Sequence, residues 1–274
     1  MMTNRKILVS AAACAALTAA LVGCSKDGGG KDAGSKGKSD RTVTESPKAP
    51  EPFAGLTGQQ IADKAVEATK AASSLKVAGS GKDDGKQMSI EFALSKQGNC
   101  SGEMGYVGSG RAEFLVLDKV MYMKGDEAFY KGMGKEEGTS AEETAAMTEI
   151  LKGRWMKIPA DEDAAKDMGG ACDLDGLIEE MEDGSTANVT KGQFTDINGQ
   201  KAITLTEKDG AETHTIYVAA EGKPYFLKIV TTGGDEPGTV TFSDYDKPVA
   251  ATPPPADQVV DLEKMMGDAG AESA

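Results

Sequence analysis

The chain holds one histidine, one tryptophan and four cysteines among its 274 residues. That scarcity excludes most site chemistry. A general base needs a positioned nucleophile and an orienting acid. No motif around His214 supplies them, and within Thr213-His214-Thr215 it reads as a strand residue near the sheet surface. A zinc set cannot be assembled from so few cysteines and one histidine. Asp173-Leu174-Asp175-Gly176 is like the opening of a calcium loop, but the third acidic position and the closing Glu are missing. Gly108-Ser109-Gly110 precedes no helix pattern, so it reads as a hairpin turn and not a phosphate loop. Glu136-Glu137 and Asp161-Glu162-Asp163 read as solvated faces. The expectation is a protein that is not an enzyme and carries no cofactor or metal.

Positive charge is also short, with a net of −14. An acidic surface repels phosphate backbones and anionic lipid head groups, so nucleic acid is not an expected partner. Aromatics make up 5% of the chain while Met occurs 13 times, which suits an adaptable interior. Long apolar runs are missing but for one, Ile7 to Val22. Its 16 residues are too few for a membrane span and fit a signal-peptide core behind the basic Arg5-Lys6. The run ends in Leu21-Val22-Gly23-Cys24, which resembles the lipobox of bacterial lipoproteins. That resemblance implies cleavage before Cys24 and attachment of a diacylglyceryl group to its thiol. Each buried methylene contributes about 0.8 kcal/mol, and two chains hold where one is marginal. Cleavage removes Arg5 and Lys6 and no acid, so the net charge becomes −16. The expected location is the extracytoplasmic face of the cell membrane, with attachment through the acyl groups.

The division that follows is a signal peptide over 1–23, a lipidated Cys24 with a disordered tether over 24–52, a folded domain over 53–262, and a disordered tail over 263–274. Ser25 to Pro52 has almost no apolar residue and cannot bury enough surface to fold. At about 28 residues its r.m.s. span is on the order of 30 Å. With Cys14 in the signal and Cys24 lipidated, Cys100 and Cys172 remain. Two cysteines in an exported domain read as a disulfide, with two buried free thiols as the alternative.

In the domain, Thr57 and Gln60 form a capping box that opens a helix running to Ser73-Ser74. Leu75 to Gly79, Met88 to Ser95, Cys100 to Val107 and two segments around Asp118-Lys119 read as strands. A helical insert follows: 126–133, then a helix opened by Ser140 and Glu143 with an apolar stripe of Ala146, Met147, Ile150 and Leu151. A brief strand at Arg154 to Ile158 and helices over 161–168 and 173–182 complete it. Cys172 stands at the start of the last helix. Asn198-Gly199, Asp209-Gly210 and Glu221-Gly222 then punctuate an antiparallel meander. In it His214, Ile216 and Val218 share a face, as do Tyr225, Leu227 and Ile229. Val259 to Leu262 lies back on the domain.

This order, with the lipobox, the Tyr225-Phe-Leu-Lys-Ile229 strand and Phe242-Ser-Asp-Tyr245 after it, resembles the LppX/LprAFG lipoproteins of actinobacteria. It is also similar in outline to the lipoprotein carrier LolA. The resemblance implies an α+β fold: a strongly curved antiparallel sheet, a half barrel, with helices packed over its concave face. Several members carry acylated lipids in the cavity between. Phe92, Leu94, Phe114, Val116, Met147, Leu151, Trp155 and Met181 are the residues expected to line such a cavity or, alternatively, to fill a core. The expected function is binding or transfer of a lipid or amphiphile without chemical change. The alternative is a ligand-free accessory or sensory lipoprotein that binds an envelope protein.

Overall fold

The computed structural model describes residues 51–83, 85–136, 138–159, 172–183, 188–261 and 264. Cys24, the tether up to residue 50, the expected helix over 161–168 and nearly all of the tail lie outside them.

Helix α1 spans Gly58–Ala71. Thr57 Oγ1 accepts the N–H of Gln60 at 3.2 Å, and Thr57 N donates to Gln60 Oε1 at 3.0 Å. The helix stops three residues before Ser74 because Ala72 is already extended and Asp246 Oδ1 captures the Ser73 N–H at 2.9 Å. Strands β1 (Ser74–Asp83), β2 (Lys86–Ser95), β3 (Cys100–Tyr106), β4 (Gly110–Leu117) and β5 (Val120–Gly125) follow as a meander. β1 outruns its expected end because it pairs with β2 along its full length, from Ser74↔Ser95 to Asp83↔Lys86. Next come α2 (Glu127–Glu136), α3 (Ala141–Leu151), β6 (Trp155–Pro159) and α4 (Leu174–Asp183). The second meander is β7 (Thr190–Ile197), β8 (Gln200–Asp209), β9 (Glu212–Ala219), β10 (Phe226–Thr232) and β11 (Gly238–Ser243), with a short β12 (Val259–Asp261) at the end.

The twelve strands among the described residues join one sheet, in the order β12-β6-β5-β4-β3-β2-β1-β11-β10-β9-β8-β7. It is curved but not closed, leaving β12 and β7 as edges. Every pairing is antiparallel except β12 with β6. One face carries the core across the whole sheet. A single register row runs Val260, Met156, Met123, Phe114, Gly102, Phe92, Val77 and Phe242. Helix α2 packs on β4 and β5 with α3 against it; α1 packs on β7, β9 and β10 with α4 against it.

Gly102 shows how tightly this row is filled. It lies in register between Phe92 and Phe114, whose rings are 6.0 Å apart. A Cβ there would sit 2.2 Å from the Glu91 carbonyl oxygen and 2.4 Å from the Phe92 ring. Gly102→Ala is therefore expected to lower stability by about 1–3 kcal/mol through overpacking. Urea unfolding checks this, and an unchanged midpoint would contradict it.

Segments 225–229 and 242–245 meet. The Tyr225 and Tyr245 rings stack at 3.9 Å, and Tyr245 Oη donates to the Phe226 carbonyl at 2.7 Å. Asp246, with a left-handed φ of 59°, accepts from Ser73 N, from Lys223 Nζ at 2.9 Å and from Tyr225 Oη at 2.8 Å. The Ser73 N–H, then Lys223 and Tyr225, hold the Asp246 carboxyl well below the usual carboxylate range. A carboxyl with a depressed folded-state pKa stabilises above its unfolded value, near 4, and that contribution is lost as pH falls toward the folded value. Asp246→Asn is thus expected to be less stable at neutral pH and to lose less than the parent on acidification below pH 4. Melting curves across pH 2–7 test this; parallel acid limbs would refute it.

Candidate functional site

α1 and α4 do not close completely onto β8–β10. Between them is a hollow of about 260 Å³. α1 buries Ile61, Ala62, Ala65 and Thr69, and its Ala62 and Val66, one turn apart, border the hollow. Asp173 immediately precedes α4, and its Oδ1 accepts the N–H groups of Asp175 and Gly176 at 3.1 Å each. The sequence that is like a calcium loop therefore serves as a helix cap. Leu174 and Ile178 are buried, while Met181 reaches the hollow from the far end of the helix. Among the described residues, no group of His, Cys, Asp and Glu is placed to hold a metal.

The sheet supplies the floor. Leu205, Ile216 and Ile229 stand side by side in register, and Glu207, His214 and Thr231 form the next row. A register shift between Phe226 and Lys228 inserts an extra residue into β10, so Phe226 and Ile229 both face the hollow. The simple alternation expected for Tyr225, Leu227 and Ile229 is corrected accordingly. His214 shares a face with Ile216, as expected, and borders the hollow with its side chain 24% exposed. Its Nδ1 is 3.0 Å from Thr231 Oγ1, and its Nε2 is 3.6 Å from Glu212 Oε2. Glu207, cross-strand from His214, is only 4% exposed. The hollow thus has apolar walls and a polar end.

Cys100 and Cys172 are disulfide-bonded, with Cα atoms 5.4 Å apart. Cys100 is fully buried on β3 between Leu94 and Val116. The bridge therefore fastens the start of α4 to the first group of strands.

The residues expected to line a cavity divide. Phe92, Leu94, Phe114, Val116 and Leu151 are each at most 8% exposed and belong to the packed core. Of the eight, Met181 borders the hollow. Met147 is 45% exposed, as α3 turns a different face inward. Of the expected stripe, Leu151 is buried while Ala146, Met147 and Ile150 face outward, and Thr148 is buried in their place. The cause is the contact with α2: Gly134 lies directly against the Thr144 side chain, and Thr148 satisfies its hydroxyl on the Thr144 carbonyl at 2.7 Å. Trp155 is on the opposite face of β6 from Met156, with Lys124 Nζ 4.7 Å from its ring centroid. Sequence reasoning missed Ala62, Val66, Ile216, Phe226 and Ile229 as wall residues, though the alternation of β9 pointed to Ile216.

A second, larger cleft of about 890 Å³ lies near the β3–β4 turn, α2 and α3. Its walls include Arg111, Glu113, Lys124, Asp126 and Lys152. Met88, Tyr106, Val107 and Tyr130 line it as well, but the charged side chains interrupt that apolar surface, so size alone does not favour it over the smaller hollow.

No family profile matches this chain, and no curated protein sequence does. Solved structures do. LprF from Mycobacterium bovis superposes with a TM-score of 0.50 at 17% identity, covering 72% of this chain and 96% of LprF. The lipoprotein LppX from Mycobacterium tuberculosis gives 0.47 at 14% identity, covering 71% and 98%. A half barrel of antiparallel strands with helices over one face, matched along nearly the whole of LprF, is the LppX/LprAFG fold, and this chain has it.

Proposed function

We propose that this protein is a membrane-anchored extracytoplasmic lipoprotein that holds or transfers a lipid or other amphiphile without chemical change. The observation that carries the reading is the apolar-walled hollow under α1 and α4. It is a half-open cleft of about 260 Å³, close to the lower bound of roughly 300 Å³ for ligand pockets. Its lining of Val, Ile, Phe and Met with a polar end matches the two-part chemistry of an amphiphile. Met181 supplies an adaptable wall. The fold shared with LprF is consistent with this reading.

Attachment is assigned to Cys24. Among the described residues no helix is long and apolar enough to cross a membrane, and the acidic charge disfavours electrostatic adhesion to anionic lipids. Cys24→Ala is expected to move the protein from the membrane fraction to the soluble or secreted fraction. Full retention in the membrane would contradict the assignment.

Binding is tested with an uncharged apolar fluorophore, phenylnaphthylamine, titrated into the mature chain (residues 24–274) carrying Cys24→Ser, purified without detergent. A saturable rise in emission near one dye per chain is expected. No binding would favour a ligand-free protein that acts through an envelope partner, which a pull-down with the anchored chain would then identify.

A further inference from the structure

We infer that the ligand's apolar chain leaves the hollow and lies across the strands, in an open trough that runs over β11, β1 and β2 to β3, so that the protein favours amphiphiles with a membrane-length acyl chain over short ones. The inference rests on the binding reading above and names the chain class.

One register row makes the floor of the trough: Ile229, Val240, Gly79, Ile90 and Met104, on β10, β11, β1, β2 and β3. Val240, Gly79 and Ile90 lie two residues along their strands from Phe242, Val77 and Phe92 of the packed row, so both rows face the same side of the sheet. The packed three are at most 5% exposed, whereas all five residues of the floor are part-exposed. Helix placement accounts for the difference. α1 packs on β7, β9 and β10 and α2 on β4 and β5, and the open stretch lies on the four strands between them.

The floor is continuous with both clefts. Ile229 and its cross-strand neighbour Ile216 border the hollow. Met88 and Tyr106, two residues beyond Ile90 and Met104 on the same face, border the larger cleft. Midway, the row lacks a side chain. A Cβ on Gly79 would stand 3.4 Å from the side chains of Ile90 and Val240 and 3.3 Å from the Thr239 carbonyl oxygen. The floor therefore dips between two apolar walls, where a hydrocarbon chain would touch both. Covering apolar surface contributes about 25 cal/mol per Å².

The span sets the chain. From β10 to β3 there are four strand spacings, about 19 Å. The hydrocarbon core of a bilayer is roughly 30 Å thick, so an acyl chain of one leaflet covers about 15 Å. A chain that starts in the hollow and approaches Met104 is thus of full membrane length; one about half as long stays beside the hollow.

The test displaces bound phenylnaphthylamine from the Cys24→Ser chain with decanoyl- and stearoyl-lysophosphatidylcholine, each below its micellar range, with and without Gly79→Leu. Gly79 is not among the residues of positive φ, so a leucine suits its backbone and projects into the middle of the trough. Stearoyl-lysophosphatidylcholine is expected to lose roughly tenfold or more in affinity through Gly79→Leu, and the decanoyl form less than about twofold. A stearoyl-length analogue with a diazirine at the chain end gives a reading that needs no variant: photolysis and peptide mapping should place the label on β2 or β3. Label absent from β2 and β3, or equal responses of the two lipids to Gly79→Leu in a folded protein, overturns the trough and leaves the hollow as a binding site. Absence of dye binding overturns both this inference and the reading beneath it.

Discussion

Reducing the Cys100–Cys172 bridge is expected to lower the unfolding midpoint by about 10 °C. The residues are 72 apart in sequence. In the chain-entropy account a loop of that length stabilises by about 4 kcal/mol, and for a domain of this size each kcal/mol moves the midpoint by roughly 2–4 °C. The position of the bridge gives a second effect. It joins a buried strand residue to the start of α4, and α4 carries Met181 to the hollow. The reduced protein should therefore bind the dye more weakly at temperatures where it is still folded. Cys100→Ala with Cys172→Ala separates the bond from the reductant and should reproduce both changes. A shift of less than 2 °C in the reduced protein and the double variant alike would show that packing alone holds α4 in place.

Val66→Trp is expected to abolish ligand binding while leaving the protein folded. Val66 is half-buried on α1 and borders the hollow, so an indole grown from it enters the space a chain would occupy. Since the space is empty of protein atoms, the overpacking cost should stay near the lower end of the usual 1–3 kcal/mol. The expected loss of dye affinity is at least twentyfold. Phe92→Leu serves as the contrast: Phe92 belongs to the filled core, 2% exposed, and its truncation should reduce stability with little change in affinity. Binding that survives Val66→Trp would place the ligand elsewhere, and the larger cleft near α2 would be the next region to probe.

Much of the fold could be read from the sequence because its signals are local. Asn198 and Gly199 take φ of 54° and 83°, and Asp118 and Lys119 take 50° and 62°, as tight hairpin turns require. The capping boxes of α1 and α3 form as Thr57-x-x-Gln60 and Ser140-x-x-Glu143 predict. What sequence did not carry is parity and partner choice. Trp155 and Met156 are both apolar, and only pairing of β6 with β5 and β12 decides which faces the core. The bulge in β10 breaks a clean alternation and brings Phe226 beside Ile229. Met147 lost its place in the interior to Thr148, a polar residue that satisfies its own hydroxyl within the helix. The hollow was hidden for the same reason. Its walls come from α1, α4 and three strands of the second meander, far apart in sequence, while the aromatic residues that drew attention pack one another under the first.

Native mass spectrometry of protein taken from its own membranes, released gently and compared with Val66→Trp, tests the central claim most directly. The account predicts that the parent carries a lipid or other amphiphile, beyond the mass of the Cys24 anchor, and that the variant lacks it while still folded. A parent that is free of any such adduct, or an adduct equally abundant in the variant, would contradict it.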